Sequence, residues 1–250
     1  MIKKIECDKI NNLKIFDWNK YFKDNKNQLL HLDYNIQNEL SNDEISLITP
    51  SIQAFQIGER SEGKHFLNKV NKYVDRTNDK VYLDNIKMFI AEENRHSQSL
   101  LNYMNLYSIP NIQKSFLDNV FRGIRKMFTL EFEIITLVTA EMIALSYYDA
   151  LCKASNSKLL KSICQQMLYD ESYHVVFQSQ MLYKLSKDRN SILNIFIVII
   201  RKVLLRVTCL AVYFKFKNIF RGTGYSYKKL RKRSIGYLKQ SLEITKNNIY

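Results

Sequence analysis

Glycine and proline are scarce, 6 and 2 in 250 residues. Hairpin dipeptides and strict apolar–polar alternation are nearly missing as well, and together these shortages exclude a β-rich fold. The four cysteines, Cys7, Cys152, Cys164 and Cys209, contain no C-x-x-C pair. That excludes a disulfide framework or a cysteine-rich metal knuckle and leaves reduced thiols of a reducing compartment. No apolar signal core follows the opening Met1 to Glu6, so the expected location is the cytoplasm. Gly222-Thr223-Gly224 has no strand before it and no helix placed after it as a phosphate loop requires. No serine or cysteine has a histidine positioned to activate it.

What is present is helical. Apolar residues recur three and four apart over long stretches, and four strong helices emerge. The first runs from about Pro50 to Asp75, since proline suits a first turn. The second covers about Lys80 to Tyr107, the third Phe128 to Ala154 and the fourth Lys158 to Leu185. Arg76 to Asp79 and Ser155 to Ser157 are short turns, which make each pair antiparallel neighbours. Asn111 to Met127 forms a longer, partly helical crossover holding Phe116, Val120 and Phe121. The chain thus divides into a lead-in over 1–47 packed on the outside and anchored by Trp18, Tyr21 and Phe22, a bundle over 48–187, and a helical extension over 188–250.

The net charge of +14 is concentrated at one end: from Arg189 to Tyr250 there are fourteen Lys and Arg and a single acid, Glu243. The first 188 residues are close to neutral. Ser191 to Phe214 is strongly apolar, but Arg201, Lys202 and Arg206 interrupt it at mid-span, which disfavours a bilayer-crossing helix; a fifth long helix on the bundle is preferred. The basic stretch Tyr225 to Arg233 reads most simply as a solvated face. An anionic membrane surface ranks next, because an apolar helix directly precedes it, ahead of nucleic acid or an anionic substrate carrier.

Two stretches carry the chemistry. Ala91-Glu92-Glu93-Asn94-Arg95-His96 and Tyr169-Asp170-Glu171-Ser172-Tyr173-His174 each hold a Glu-x-x-His preceded by a second acid, offset by 78 residues. Glutamate and histidine three apart on a helix share one face, so the two stretches read as a duplicated metal half-site. Glu141 sits among isoleucine, valine, methionine and leucine, where a lone carboxylate is costly to bury unless it is paired, protonated or bound to a cation. Counted from the turns, Glu62 and Glu93 lie at matching depths, as do Glu141 and Glu171. The site is then Glu62, Glu93, His96, Glu141, Glu171 and His174. Glu59, one turn before Glu62, is the rival ligand, and His65 completes a third Glu-x-x-His that reads as a neighbouring polar residue. Glu92 and Asp170 point about 100° away from the motif faces; they are candidates to bond the ligand histidines from outside, or solvent-facing acids. Tyr147, Tyr148, Tyr169 and Tyr173 fall nearby, with packing preferred over a redox role.

This ordered set resembles the ferritin-like superfamily of dinuclear carboxylate proteins, in which two helices give one Glu each and two give a Glu-x-x-His. The resemblance covers about Pro50 to Leu185. It implies an all-α, ferritin-like four-helix bundle of two antiparallel pairs joined by the longer crossover. It also implies that Glu93 and Glu171 bridge two metal ions that His96 and His174 cap. Two iron ions are the expected cofactor, manganese the alternative, with dioxygen as co-substrate. The expected function is a non-haem di-iron oxidase or oxygenase acting on a small-molecule or carrier-bound substrate with an electron donor. Ferroxidase or iron handling, a dimanganese catalase and a non-catalytic membrane-associated metal-binding module are the alternatives. A homodimer and peripheral attachment to a membrane are both compatible with the sequence.

Overall fold

The computed structural model describes residues 17–35, 40–60, 63–115, 123 and 129–246, and every regular element among them is a helix. The lead-in contributes α1 (Trp18–Asn27), whose apolar stripe Trp18, Tyr21 and Phe22 is buried. The Trp18 ring packs 5.0 Å from that of Phe177, and its Nε1–H donates to Gln180.

The bundle helices are α2 (Asn42–Glu59), α3 (Lys64–Thr77), α4 (Lys80–Leu106), α5 (Leu130–Lys153) and α6 (Lys158–Ser186). All but α3 begin where a side chain caps the first free amides. Asp79 accepts from the Tyr82 amide, Thr129 from Phe132 and Ser157 from Leu160. Asn78, left-handed at φ 58°, ends α3. These ends agree with the turns expected at Arg76–Asp79 and Ser155–Ser157. α5 and α6 fold back on each other along their length, α2 and α3 lie on α4, and α4 meets α6. By length and composition α5 is apolar enough to cross a membrane, yet it is the most enclosed helix of the fold and carries buried Glu133, Glu141 and Asp149. It is the core around which the others pack.

The first bundle helix departs from expectation at both ends. It starts at Asn42, not at Pro50, because Ser41 and Glu44 form a reciprocal capping box: the Glu44 amide donates to Ser41 Oγ, and Glu44 accepts from the Ser41 amide at 2.8 Å. Glu44 also accepts from the Asn156 amide at 3.0 Å, tying this start to the α5–α6 turn. Pro50 therefore lies inside α2 and deprives the Ser46 carbonyl of its usual donor. Nor does one helix run to Asp75. The chain leaves helical geometry at Arg60 (ψ 104°) and re-enters it after Gly63 at φ 66°. A Cβ on Gly63 would stand 2.7 Å from Ile90 Cδ1, so the break presses against α4 at a point only glycine fits. Replacing Gly63 with alanine should cost about 1–3 kcal/mol in urea unfolding. Ile90→Val in the same chain should recover only the contact part, leaving the cost of the left-handed backbone.

Of the expected crossover, Phe116, Val120 and Phe121 lie outside the described residues. The C-terminal extension forms α7 (Ser191–Lys215), the short α8 (Lys217–Gly222) and α9 (Tyr227–Lys246). α7 packs on α5 and α9, and α9 packs on α6 as well. Tyr225, beneath Lys229 and Arg233, donates its hydroxyl to Asp149 of α5 and fastens the extension to the core.

Candidate metal centre

Four helices each deliver acidic side chains to one buried layer. On α4 the three-residue spacing brings Glu93 and His96 to the same face, and on α6 it does so for Glu171 and His174. α5 contributes Glu141, and α2 contributes Glu59 from its last helical turn. Ligand atoms of Glu59, Glu93, His96 and Glu171 all lie within 4.8 Å of one another, and so do those of Glu93, Glu141, Glu171 and His174. Glu93 and Glu171 belong to both groups. The arrangement is two adjoining nests that share a wall.

The histidines face inward through Nδ1. His174 Nδ1 is 3.0 Å from Glu93 and 3.1 Å from Glu171; His96 Nδ1 is 3.3 Å from Glu171 and 3.8 Å from Glu59. Their outer nitrogens are held by the acids that precede the motifs, in a crossed pattern. His96 of the first motif donates Nε2–H to Asp170 of the second at 2.8 Å, and His174 of the second donates to Glu92 of the first at 2.9 Å. Those acids are acceptors only, so they set both tautomers and leave each Nδ1 lone pair pointing into the cluster. Arg95 bonds both, at 3.2 Å to Glu92 and 2.9 Å to Asp170. Asn25 on α1 donates to both as well, and Gln166 donates to Asp170 at 2.9 Å. The lead-in helix thus completes the outer layer.

Burial and charge are in conflict inside this layer. Glu171 and His174 are fully enclosed, and Glu93 Oε1, Glu171 Oε1 and His96 Nδ1 are buried without a hydrogen bond. Burial, then Glu171 and Glu59, push the Glu93 carboxyl up to about 8. Burial and the charge of Glu171 hold Glu141 well above the usual carboxyl range. Glu171 is held below the usual carboxyl range despite its burial, because the Glu141 carboxyl bonds to it and the two imidazoles stand 3.1 and 3.3 Å away. Burial lowers both histidines, but their carboxylate partners, Asp170 and Glu171 for His96 and Glu171 and Glu92 for His174, outweigh it and raise them. Without a cation the layer must hold protons to stay buried. Four carboxylates with two neutral imidazoles match the charge of two divalent ions, and the oxygen and nitrogen donor set suits iron or manganese.

The structure brings together Glu93, His96, Glu141, Glu171 and His174 in one layer, with Glu92 and Asp170 behind the histidines. Glu62 lies outside the described residues. Glu59 takes a place in the layer, its carboxylate accepting from the Tyr148 hydroxyl. One turn earlier Gln56 donates to Ser97 Oγ at 2.9 Å, and Ser97 donates to the Gln56 carbonyl at 3.0 Å, clamping this end of α2 to α4. His65 is exposed on α3, away from the layer. Tyr147 stacks on Phe55 and Tyr169 is half exposed, as packing residues would be. Three residues went unremarked in the sequence: Asn25, Arg95 and Gln166. Asn25 had a legible signal, since it continues the spacing of Trp18, Tyr21 and Phe22 on an otherwise apolar stripe.

Phe22, Phe89 and Phe177 wall the His174 side against water; the Phe89 ring meets the imidazole edge-on at 4.7 Å. A cleft of about 250 Å³ opens between α2, α4 and the segment after it, with both polar and apolar walls: Gln56, Arg60, Asn94 and Ser97 line it together with Leu101 and Ile112. Compared with protein-family models, curated proteins and solved structures, the chain matches none.

Proposed function

We propose that this chain is a non-haem dinuclear iron oxidoreductase, built on a ferritin-like bundle, that reduces dioxygen and oxidises an organic substrate. The observation that carries the reading is the pair of four-residue nests sharing Glu93 and Glu171, each capped by an inward-facing histidine Nδ1. Glu59 and His96 would complete one position, Glu141 and His174 the other, with Glu93 and Glu171 spanning both. When bound, a pair of Fe(II) ions supplies the electrons that reduce dioxygen.

The chain's own residues do the rest. Glu92 and Asp170 orient the imidazoles and raise their basicity. Tyr148 steadies Glu59, and the phenylalanine wall excludes water from the His174 side. The cleft adjoins Glu59 and His96 through the same turns of α2 and α4, and is the route assigned to the substrate. Its mixed lining, with Gln56 and Asn94 beside Leu101 and Ile112, suits a molecule with both apolar and hydrogen-bonding parts.

The test is metal analysis of protein purified without added metal, followed by oxygen consumption. Two iron per chain, with oxygen uptake that needs an electron donor and does not scale with excess Fe(II), supports the proposal. Uptake in proportion to added Fe(II) would indicate iron oxidation instead, two manganese a peroxide-handling site, and no metal would end the reading. The crossed pairs add a sharper expectation. Asp170→Asn should weaken metal at the His96 position, and Glu92→Gln at the His174 position, each by about 10–100-fold in a competition titration with a chromophoric chelator.

A further inference from the structure

One face of the C-terminal extension is neither core nor ordinary surface. The inner side of α7 is well packed: Leu205, Thr208, Cys209 and Val212 are buried, and Arg201 reaches inward to bond Ser241 at 2.5 Å and Thr245 at 3.4 Å on α9. The outer side carries Ile192, Phe196, Ile199, Val203, Val207 and Phe214, all exposed, with Ile192 65% and Phe214 61% accessible. Spacings of three, four and seven place them in one stripe about 33 Å long at the rise of an α-helix. A continuous apolar strip of that length marks a contact surface.

The surrounding charge says what it contacts. Lys202 and Arg206 are exposed on α7 itself, and Arg221, Lys228, Lys229, Arg231 and Lys232 are exposed on the elements that follow. From Arg189 to Tyr250 Glu243 is the only acid. A second copy of the chain is a poor occupant, because a two-fold contact pairs the same patch of both copies and would gather their cations with no carboxylate from Ser191 to Leu242 to offset them. A bilayer-crossing helix is excluded by the grip of Arg201 on α9, which holds α7 lengthwise against the fold. An apolar stripe lying flat, bordered by cations, fits the boundary between acyl chains and anionic headgroups.

We propose that α7 and the basic elements after it dock the protein peripherally on an anionic lipid surface, with the stripe Ile192 to Phe214 entering the acyl boundary and Lys202 and Arg206 meeting lipid phosphates. No residue of the stripe or of its cationic border belongs to the metal centre, and the proposal stands whether or not metal binds there.

Flotation of the full chain with phosphatidylcholine vesicles, with and without phosphatidylglycerol, tests it. Expected are binding at least about ten-fold tighter to the anionic vesicles and a sharp loss of that advantage in high salt. Phe196→Glu with Val203→Glu should reduce binding by about ten-fold or more, and Lys202→Glu with Arg206→Glu by about five-fold per charge. All four positions are exposed, so circular dichroism and melting of these variants should be unchanged. Binding that ignores the Phe196 and Val203 changes would overturn the docking face, and equal binding to neutral vesicles would overturn the anionic surface. A dimer in sedimentation velocity that the same two changes dissociate would assign the stripe to a second copy. Tighter capture by polyglutamate than by vesicles would assign it to an acidic polypeptide.

Discussion

Alanine at Glu171 should empty both metal positions together, whereas alanine at His174 should empty only one. The difference follows from membership. Glu171 and Glu93 stand in both four-residue nests, while Glu59 and His96 stand in one and Glu141 and His174 in the other. Removing a shared carboxylate deprives both ions of a donor and leaves a net positive charge if both remain buried. Removing a capping histidine leaves the other nest intact. Elemental analysis should therefore fall from about two ions per chain to near zero for Glu171→Ala or Glu93→Ala, and to about one for His174→Ala or His96→Ala. Loss of the fold has to be separated from loss of the site in the glutamate variants. In the metal-free chain Glu171 repels Glu93 and Glu141, but it also partners both histidine Nδ1 atoms and fills a fully buried position, so its removal takes away stabilisation along with repulsion. Chelator-treated Glu171→Ala should melt below chelator-treated parent protein yet keep its helical circular dichroism at the temperature of the metal assay. Retention of one tightly held ion by Glu171→Ala would show that the carboxylate is not shared, and the two-nest reading would fail.

The two Glu-x-x-His motifs and the buried Glu141 were legible, because helical periodicity decides which side chains share a face; for the acid before each motif it left two readings open, a bond to a histidine or a place in solvent. Depth along a helix was less so. Counting residues from the Arg76–Asp79 turn presumes an unbroken helix, and the break between Glu59 and Lys64 removes that premise. Its signal was Gly63, a glycine inside a helical pattern, which can equally mark a tolerated interior residue. Glu59 enters the layer as the last helical residue before the break. The crossing of Asp170 to His96 and Glu92 to His174 was out of reach for a different reason. Periodicity places an acid beside its own motif, but only the docking of α4 against α6 decides whose histidine it meets. Arg95 is the consequence: two outer acids facing each other across that contact need a cation between them.

The same electrostatics predict that the metal-free protein loses stability as pH rises through neutrality, the reverse of ordinary acid denaturation. In the fold Glu93 is raised from about 4.5 to about 8. Between those values the folded chain holds a proton that the unfolded chain has released, so stability falls with rising pH at up to about 1.4 kcal/mol per unit for this one group. Glu141, raised further, contributes with the same sign. The histidines do too: raised by their carboxylate partners, they lend stability that is fully present below about 6.5 and is lost as pH climbs toward their folded values. Glu171 and Asp170 are lowered and act oppositely, but their stabilising effect is lost only as pH falls below the usual carboxyl range. The net slope from pH 5 to 8 is therefore negative, and several kcal/mol should separate the two ends. Divalent metal replaces those protons and binds only the folded chain, so it should restore stability most at the alkaline end. Melting temperatures of chelated and metal-loaded protein, taken across that range, should diverge steadily as pH rises. A chelated protein that grows more stable from pH 5 to 8 would mean that the four inner carboxylates do not share one buried layer.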